Sequence, residues 1–180
     1  MAVQEEPSGA RRRRQAAIVP VPTIEDYREF DGGYSPAIWA VLWDEWRCPS
    51  CDRTKFQIMR WTKRFPAGRN GGHYMGWQAA FAVHHDHGSD RFGFGADGMF
   101  LPRGPERFEK AIICDHCNGA DGAAKRKLDL PSDWSFSTSE IKQFVTAAPH
   151  RGHVNIDDAK ARAIYNDHNC LSRVGDPSDD

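Results

Sequence analysis

The sequence predicts an α+β fold: a small unit of two strands and a helix stapled by a four-cysteine zinc site, with flanking α-helices and disordered termini. Three observations predict it. Cys48-Pro-Ser-Cys51 and Cys114-Asp-His-Cys117 are two C-x-x-C pairs, the spacing with which cysteines clamp one tetrahedral Zn²⁺. The run from Trp77 to Val83 is largely apolar and turns abruptly polar at His84-His85-Asp86-His87, the pattern of a strand that ends in a chemical site. After Cys117, the stretch from Asn118 to Lys127 reads as a helix with Asn118 and Asp121 on one face. Its last turn carries Lys125, Arg126 and Lys127, which suit the negative end of the helix dipole.

The elements follow in order. Residues 1–30 read as a disordered tail, in which Arg11 to Arg14 form either an electrostatic arm for nucleic acid or a solvated segment. The core is expected over residues 31–128. It opens with a helix from Ser35 to Trp46, with Ser35 as N-cap, Pro36 at the first helical position, and Ile38, Leu42 and Trp46 on one face. Between Cys51 and His84 lie 32 residues, enough for an inserted ribbon or loop. Trp61, Phe65 and Trp77 in this insertion are assigned to core packing, with base stacking as their other role. Residues 77–85 read as one strand and Ala111 to Ile113 as its partner, separated by a Gly-rich span. A helical extension is expected over 129–166. Ser137 and Glu140 have the spacing of a capping box, Ile141, Phe144 and Val145 form an apolar stripe, and a last helix begins near Ile156. These helices are expected to pack on the core, with homodimerisation or a partner protein as the alternative. Residues 167–180 read as an acidic tail.

Composition bounds the function. A chain of 180 residues is long enough to bury a real core. Its net charge of −1 hides a division, because residues 47–128 carry 14 basic and 8 acidic side chains while the flanks are neutral or acidic. A basic surplus centred on the cysteines and histidines suits a polyanionic partner. No stretch resembles a membrane span or a signal peptide, so a cytoplasmic location without membrane contact is expected. In a reducing compartment the five cysteines read as four metal ligands plus the spare Cys170.

Taken together, Cys48, Cys51, His84-His85-Asp86-His87, Cys114, Cys117, Asn118 and Asp121 resemble the HNH, or ββα-metal, endonucleases. The branch resembled is the zinc-bearing one typified by phage recombination endonuclease VII, with the pattern C-x-x-C, D-H-D-H, then L-C-x-x-C-N-x-x-E-G. Here the last part reads IICDHCNGADG, with Asp121 in place of Glu, and the match covers residues 47 to 128.

The resemblance implies a metal-dependent DNA endonuclease acting in a bacterial or phage-infected cell. Cys48, Cys51, Cys114 and Cys117 would hold structural zinc. His84, Asn118 and Asp121 would serve the catalytic divalent ion, Mg²⁺ or Mn²⁺, with His85 as general base and His87 on the scissile phosphate. His84 stands where that branch has Asp, which favours softer ions such as Mn²⁺, Co²⁺ or Ni²⁺. Asp86 is expected to point away from the ion and orient its neighbours. Arg91, Lys125, Arg126 and Lys127 are expected on the DNA backbone. The middle Asn that gives the family its name has no counterpart, since no Asn lies between His87 and Cys114. The reading from another class is a non-catalytic zinc module that recognises nucleic acid or protein.

Overall fold

Short elements built around a shared apolar cluster position everything else. The computed structural model describes residues 19–65, 72–90, 92–94, 100–102 and 106–174. Arg91, Arg11 to Arg14 and the last six residues lie outside the described residues. The helices are α1 (Ile24–Arg28), α2 (Pro36–Val41), α3 (Lys55–Ile58), α4 (Asp115–Leu128), α5 (Thr138–Phe144) and α6 (Asp158–Val174). The strands are β1 (Arg60–Arg64), β2 (Tyr74–Gln78), β3 (Phe81–His84), β4 (Phe92–Phe94), β5 (Phe100–Pro102), β6 (Ala111–Cys114), β7 (Val145–Thr146) and β8 (Asn155–Ile156). They form four antiparallel two-stranded pairs, β1 with β2, β3 with β6, β4 with β5 and β7 with β8. The architecture is mixed α+β, and no helix among the described residues is long and apolar enough to cross a membrane.

The segment before the first cysteine pair turns where buried polar contacts turn it. Gly32 and Gly33 both have positive φ, and a Cβ on Gly32 would sit 2.6 Å from Pro36 Cα, so the turn into α2 requires glycine there. The expected helix from Ser35 to Trp46 stops at Val41, because Leu42 is extended and its carbonyl is taken by the Lys55 ammonium at 2.8 Å. That ammonium also bonds the Trp39 carbonyl at 3.0 Å and lies 4.3 Å from the Trp39 ring centre. Burial pulls the Lys55 pKa below the ordinary lysine value, offset in part by Asp44. Ser35 makes no side-chain cap. Its Oγ accepts instead from Phe81 N–H at 3.1 Å, which ties α2 to the start of β3.

The expected strand over residues 77–85 is two strands. Tyr74–Gln78 pairs with β1 and Phe81–His84 pairs with β6, and the chain changes partners at Ala79-Ala80, where Ala80 C=O accepts from Asp115 N–H at 2.9 Å. The 52–83 insertion is therefore α3 plus the β1–β2 ribbon. Trp61 and Phe65, assigned to the core by sequence, are 39 % and 59 % exposed, while Trp77 is half-buried against Trp61 with ring centres 5.0 Å apart. Alternation explains it: Trp61 and Trp77 are register partners on one face of a ribbon whose other face carries the buried Gly76 and Gln78.

From Ala111 onward the elements match their sequence signals closely. β6 runs straight into α4, so Cys114 is both the last strand residue and the helix N-cap. The helix ends at Asp129 in the left-handed conformation, as a C-cap requires. Ser137 and Glu140 form the capping box of α5. The last helix starts at Asp158, packs Ala161, Ile164 and Tyr165 on the core, and continues to Val174, past the expected boundary at 166.

One cluster of buried residues joins all of this. It includes Trp46, Ile58, Met59, Phe81, Ile113, Ala124 and three of the cysteines, together with Phe136, Ile141, Phe144 and Ala161 from the C-terminal third. Residues 129–166 thus complete the core rather than decorate it. Phe136 is fully buried, so Phe136→Ala is expected to cost about 3–5 kcal/mol in urea unfolding. A loss below about 1 kcal/mol would mean that this third is dispensable to the core.

Candidate functional site

The first cysteine pair sits on a tight knuckle. Cys48 N–H donates to Arg53 C=O at 2.9 Å, Asp52 N–H donates to Cys48 C=O at 2.8 Å, and Asp52 takes a positive φ that lets the loop close. The second pair is carried by the strand-to-helix junction of β6 and α4. The four sulfurs of Cys48, Cys51, Cys114 and Cys117 all lie within 4.8 Å of one another, with Cys51 and Cys114 at 3.8 Å. Tetrahedral zinc with Zn–S bonds of about 2.3 Å needs sulfurs about 3.8 Å apart, so the set fits one zinc ion.

Arg53 supports this cluster from below the surface, and sequence reasoning missed it. Its guanidinium donates to Cys51 Sγ at 3.3 Å and Cys114 Sγ at 3.4 Å, and to the carbonyls of Ala148 and Arg151 at 3.3 Å each. Burial opposes its charge, yet the contacts with Cys51 and Cys114 leave its pKa raised overall. The reason is electrostatic. Four thiolates around Zn²⁺ carry two net negative charges, and one buried guanidinium offsets half of that. Only its place two residues after Cys51 marks Arg53 in the sequence.

The histidine site lies beside the cysteines on the same hairpin and helix. The β3–β6 register pairs Phe81 with Cys114 and His84 with Ala111, so the strand that ends in His84 is fixed at its other end to a cysteine. His84 is buried, and its ring stacks on Phe108 at 5.4 Å between centres. Its Nε2 lies 2.7 Å from the Phe136 carbonyl, which can only accept, so Nε2 carries a proton and a neutral ring keeps its lone pair on Nδ1. That Nδ1 faces Asn118 Oδ1, one helical position past Cys117, at 3.2 Å. Two neighbouring ligands of a divalent ion with bonds of about 2.1 Å lie about 3.0 Å apart, so this pair fits a cation between them.

The other expected residues divide. His85 is half-buried, with Nδ1 3.4 Å from Val83 C=O, and its ring lies 4.7 Å from that of His87. An Nδ1–H donated to that carbonyl makes Nε2 the basic nitrogen. His87 N–H donates to Ser135 Oγ at 3.2 Å. Asp86 is buried and accepts from Gly88 N–H at 3.2 Å and from Arg107 N–H at 3.0 Å.

Asp121, expected either to contact the metal or to support its ligands from behind, spends both side-chain oxygens on protein groups. Its Oδ1 accepts from Phe136 N–H at 2.9 Å and its Oδ2 pairs with Lys125 Nζ at 2.9 Å, so both oxygens anchor the 134–136 segment to α4. Lys125, expected on phosphate, is spent on the same anchor and on the Trp134 carbonyl at 2.8 Å. Lys127 pairs with Asp158 on α6. Arg126 is exposed, its guanidinium lying over Gly122. Ser135 and Phe136, which touch His87, His84 and Asp121, were not expected in the site. Phe136 acts through its backbone, which leaves no sequence signature.

No protein-family model matches this chain, and no curated protein or solved structure matches it either.

Purified protein is expected to hold one zinc per chain by elemental analysis, and Cys114→Ser to lose it together with much of the fold, since binding and folding are coupled in such units. Arg53→Met should keep the four sulfurs but weaken zinc about 10–100-fold in competition with a chelator. Parental zinc affinity in Arg53→Met would mean that the guanidinium does not support the ion.

Proposed function

We propose that this protein is a metal-dependent DNA endonuclease of the HNH type, with a two-strand-and-helix core stapled by zinc at Cys48, Cys51, Cys114 and Cys117. The observation that carries the proposal is the pair His84 Nδ1 and Asn118 Oδ1 at 3.2 Å, next in sequence to His85 and to Cys117. A structural zinc knuckle needs neither residue.

Hydrolysis of a phosphodiester asks for a base on the attacking water, compensation for charge on the phosphate, and a positive partner for the leaving oxygen. His85 is the base, because a neutral imidazole accepts a proton near neutrality and Nδ1 is committed to Val83 C=O. His87, with its ring beside that of His85, faces the phosphate. His84 and Asn118 hold the divalent ion, Mg²⁺ or Mn²⁺, which when bound supplies positive charge to the phosphate and the leaving oxygen. Asp121 acts on the site through Phe136, whose N–H it fixes while the carbonyl of the same residue fixes His84. Arg126 is the phosphate contact on α4, and Lys127 adds to it by exchanging Asp158 for DNA. We place the enzyme in the cytoplasm of a bacterial or phage-infected cell, alone, as a homodimer or with a partner protein.

One observation favours the second reading, a zinc module that binds nucleic acid or protein without cutting it. His84 is 1 % exposed with contacts at both ring nitrogens, a state that a purely structural histidine also adopts. Mutagenesis separates the two. His85→Ala should keep zinc, fold and DNA binding while slowing cleavage by roughly 10²–10⁴-fold. Asn118→Ala should lose activity that returns as Mg²⁺ or Mn²⁺ is raised, which the His85 variant should not. A zinc-loaded His85→Ala protein that cuts plasmid DNA at the parental rate would sink the nuclease reading.

A further inference from the structure

Arg107 lies 22 residues beyond His85 in the Gly-rich span, with no motif around it, yet it touches four parts of the molecule that converge on the histidines. Its backbone N–H donates to Asp86 Oδ2 at 3.0 Å, between His85 and His87. Its guanidinium donates through Nη1 to Ser135 C=O at 2.6 Å and through Nη2 to Glu140 Oε1 at 3.2 Å, and lies 3.7 Å from the Trp134 ring centre. Glu140 Oε1 also pairs with His168 on α6. The next residue, Phe108, is the ring stacked on His84.

We propose that Arg107 is a positioning residue of the histidine site: it clamps the Ser135–Phe136 segment against the histidine loop, so that the Phe136 carbonyl holds His84 as its Nε2–H tautomer with Nδ1 turned to Asn118. The importance of this segment to a metal rests on the reading of His84 and Asn118 as a cation-holding pair. The clamp itself follows from direction. Ser135 uses its Oγ on His87 N–H and its carbonyl on Arg107, while Phe136 uses its carbonyl on His84 and its N–H on Asp121. Four polar groups of this stretch are therefore committed to the site, and the Arg107 side chain grips the segment through the Ser135 carbonyl. A guanidinium suits the task because its planar fork can bond two acceptors while its face rests on an indole. Removing it frees the Ser135 carbonyl, and with it the neighbouring Phe136 carbonyl that holds the imidazole.

The test uses the full zinc-loaded chain and two variants, Arg107→Ala and Arg107→Lys. Nitrogen-15 NMR of the His84 ring, assigned with His84→Gln, reads the tautomer, and Mn²⁺ titration reads the pair. Wild type should show a single Nε2–H tautomer. Arg107→Ala should mix tautomers and weaken Mn²⁺ about 10–100-fold with zinc content unchanged, as loss of a group that orients a ligand does. Arg107→Lys keeps the charge but not the fork, so it should fall between the two, and it decides the question if the alanine variant does not fold. Folded variants with the wild-type tautomer and Mn²⁺ affinity would overturn the proposal. A wild-type protein that binds no Mn²⁺ and cuts no DNA would remove the nuclease reading, while the tautomer comparison would still decide whether Arg107 positions His84.

Discussion

Four sulfurs from segments more than sixty residues apart converge within 4.8 Å, and the rest of the fold depends on that convergence. The sheets of the described residues are two-stranded, with no strand longer than five residues, and isolated pairs of that size are marginal in water. The knuckle at Cys48 and Cys51 and the junction at Cys114 and Cys117 bring α3 and the β1–β2 ribbon to the base of β6 and α4. Arg53 extends the same tie to the carbonyls of Ala148 and Arg151, so the cluster gathers three stretches of chain. Once β6 is held, its register with β3 places His84, and α4 places Asn118 one position after the last cysteine. The geometry of the histidine pair is thus inherited from the cysteines.

A second constraint comes from the C-terminal third. Buried polar groups must find partners, and around His84 those partners come from Ser135 and Phe136. Asp121 and Lys125, which by type and position suit a metal and a phosphate, are drawn into holding that segment. The ionic pair inside the site is in this way exchanged for a rigid backbone carbonyl. What it secures is a defined tautomer on His84.

The sequence carries local chemistry well and long-range partnership poorly. Both cysteine pairs, the junction of β6 with α4, the capping box of α5 and the nearness of His84 to Asn118 are legible, because each rests on spacing within a few residues or on a metal that demands four ligands. Ser35 reads as an N-cap, but its hydroxyl is claimed by Phe81, 46 residues away. The strand through Ala79-Ala80 reads as continuous because nothing local shows that it changes partner. Trp61 and Phe65 read as core because aromatic residues usually are, and only the register of β1 on β2 shows which face the ribbon buries. Arg53, Arg107 and the Phe136 carbonyl were invisible for one reason: their roles are fixed by what folds against them.

The most direct measurement of the central claim, that His84 and Asn118 form a second metal position beside the cysteine cluster, is anomalous diffraction from zinc-loaded crystals soaked in Mn²⁺. Two separate peaks are expected, one at the zinc edge amid the sulfurs of Cys48, Cys51, Cys114 and Cys117, and one at the manganese edge between His84 Nδ1 and Asn118 Oδ1. A manganese map empty at that pair, or a zinc peak that takes His84 as a ligand in place of a cysteine, would contradict it.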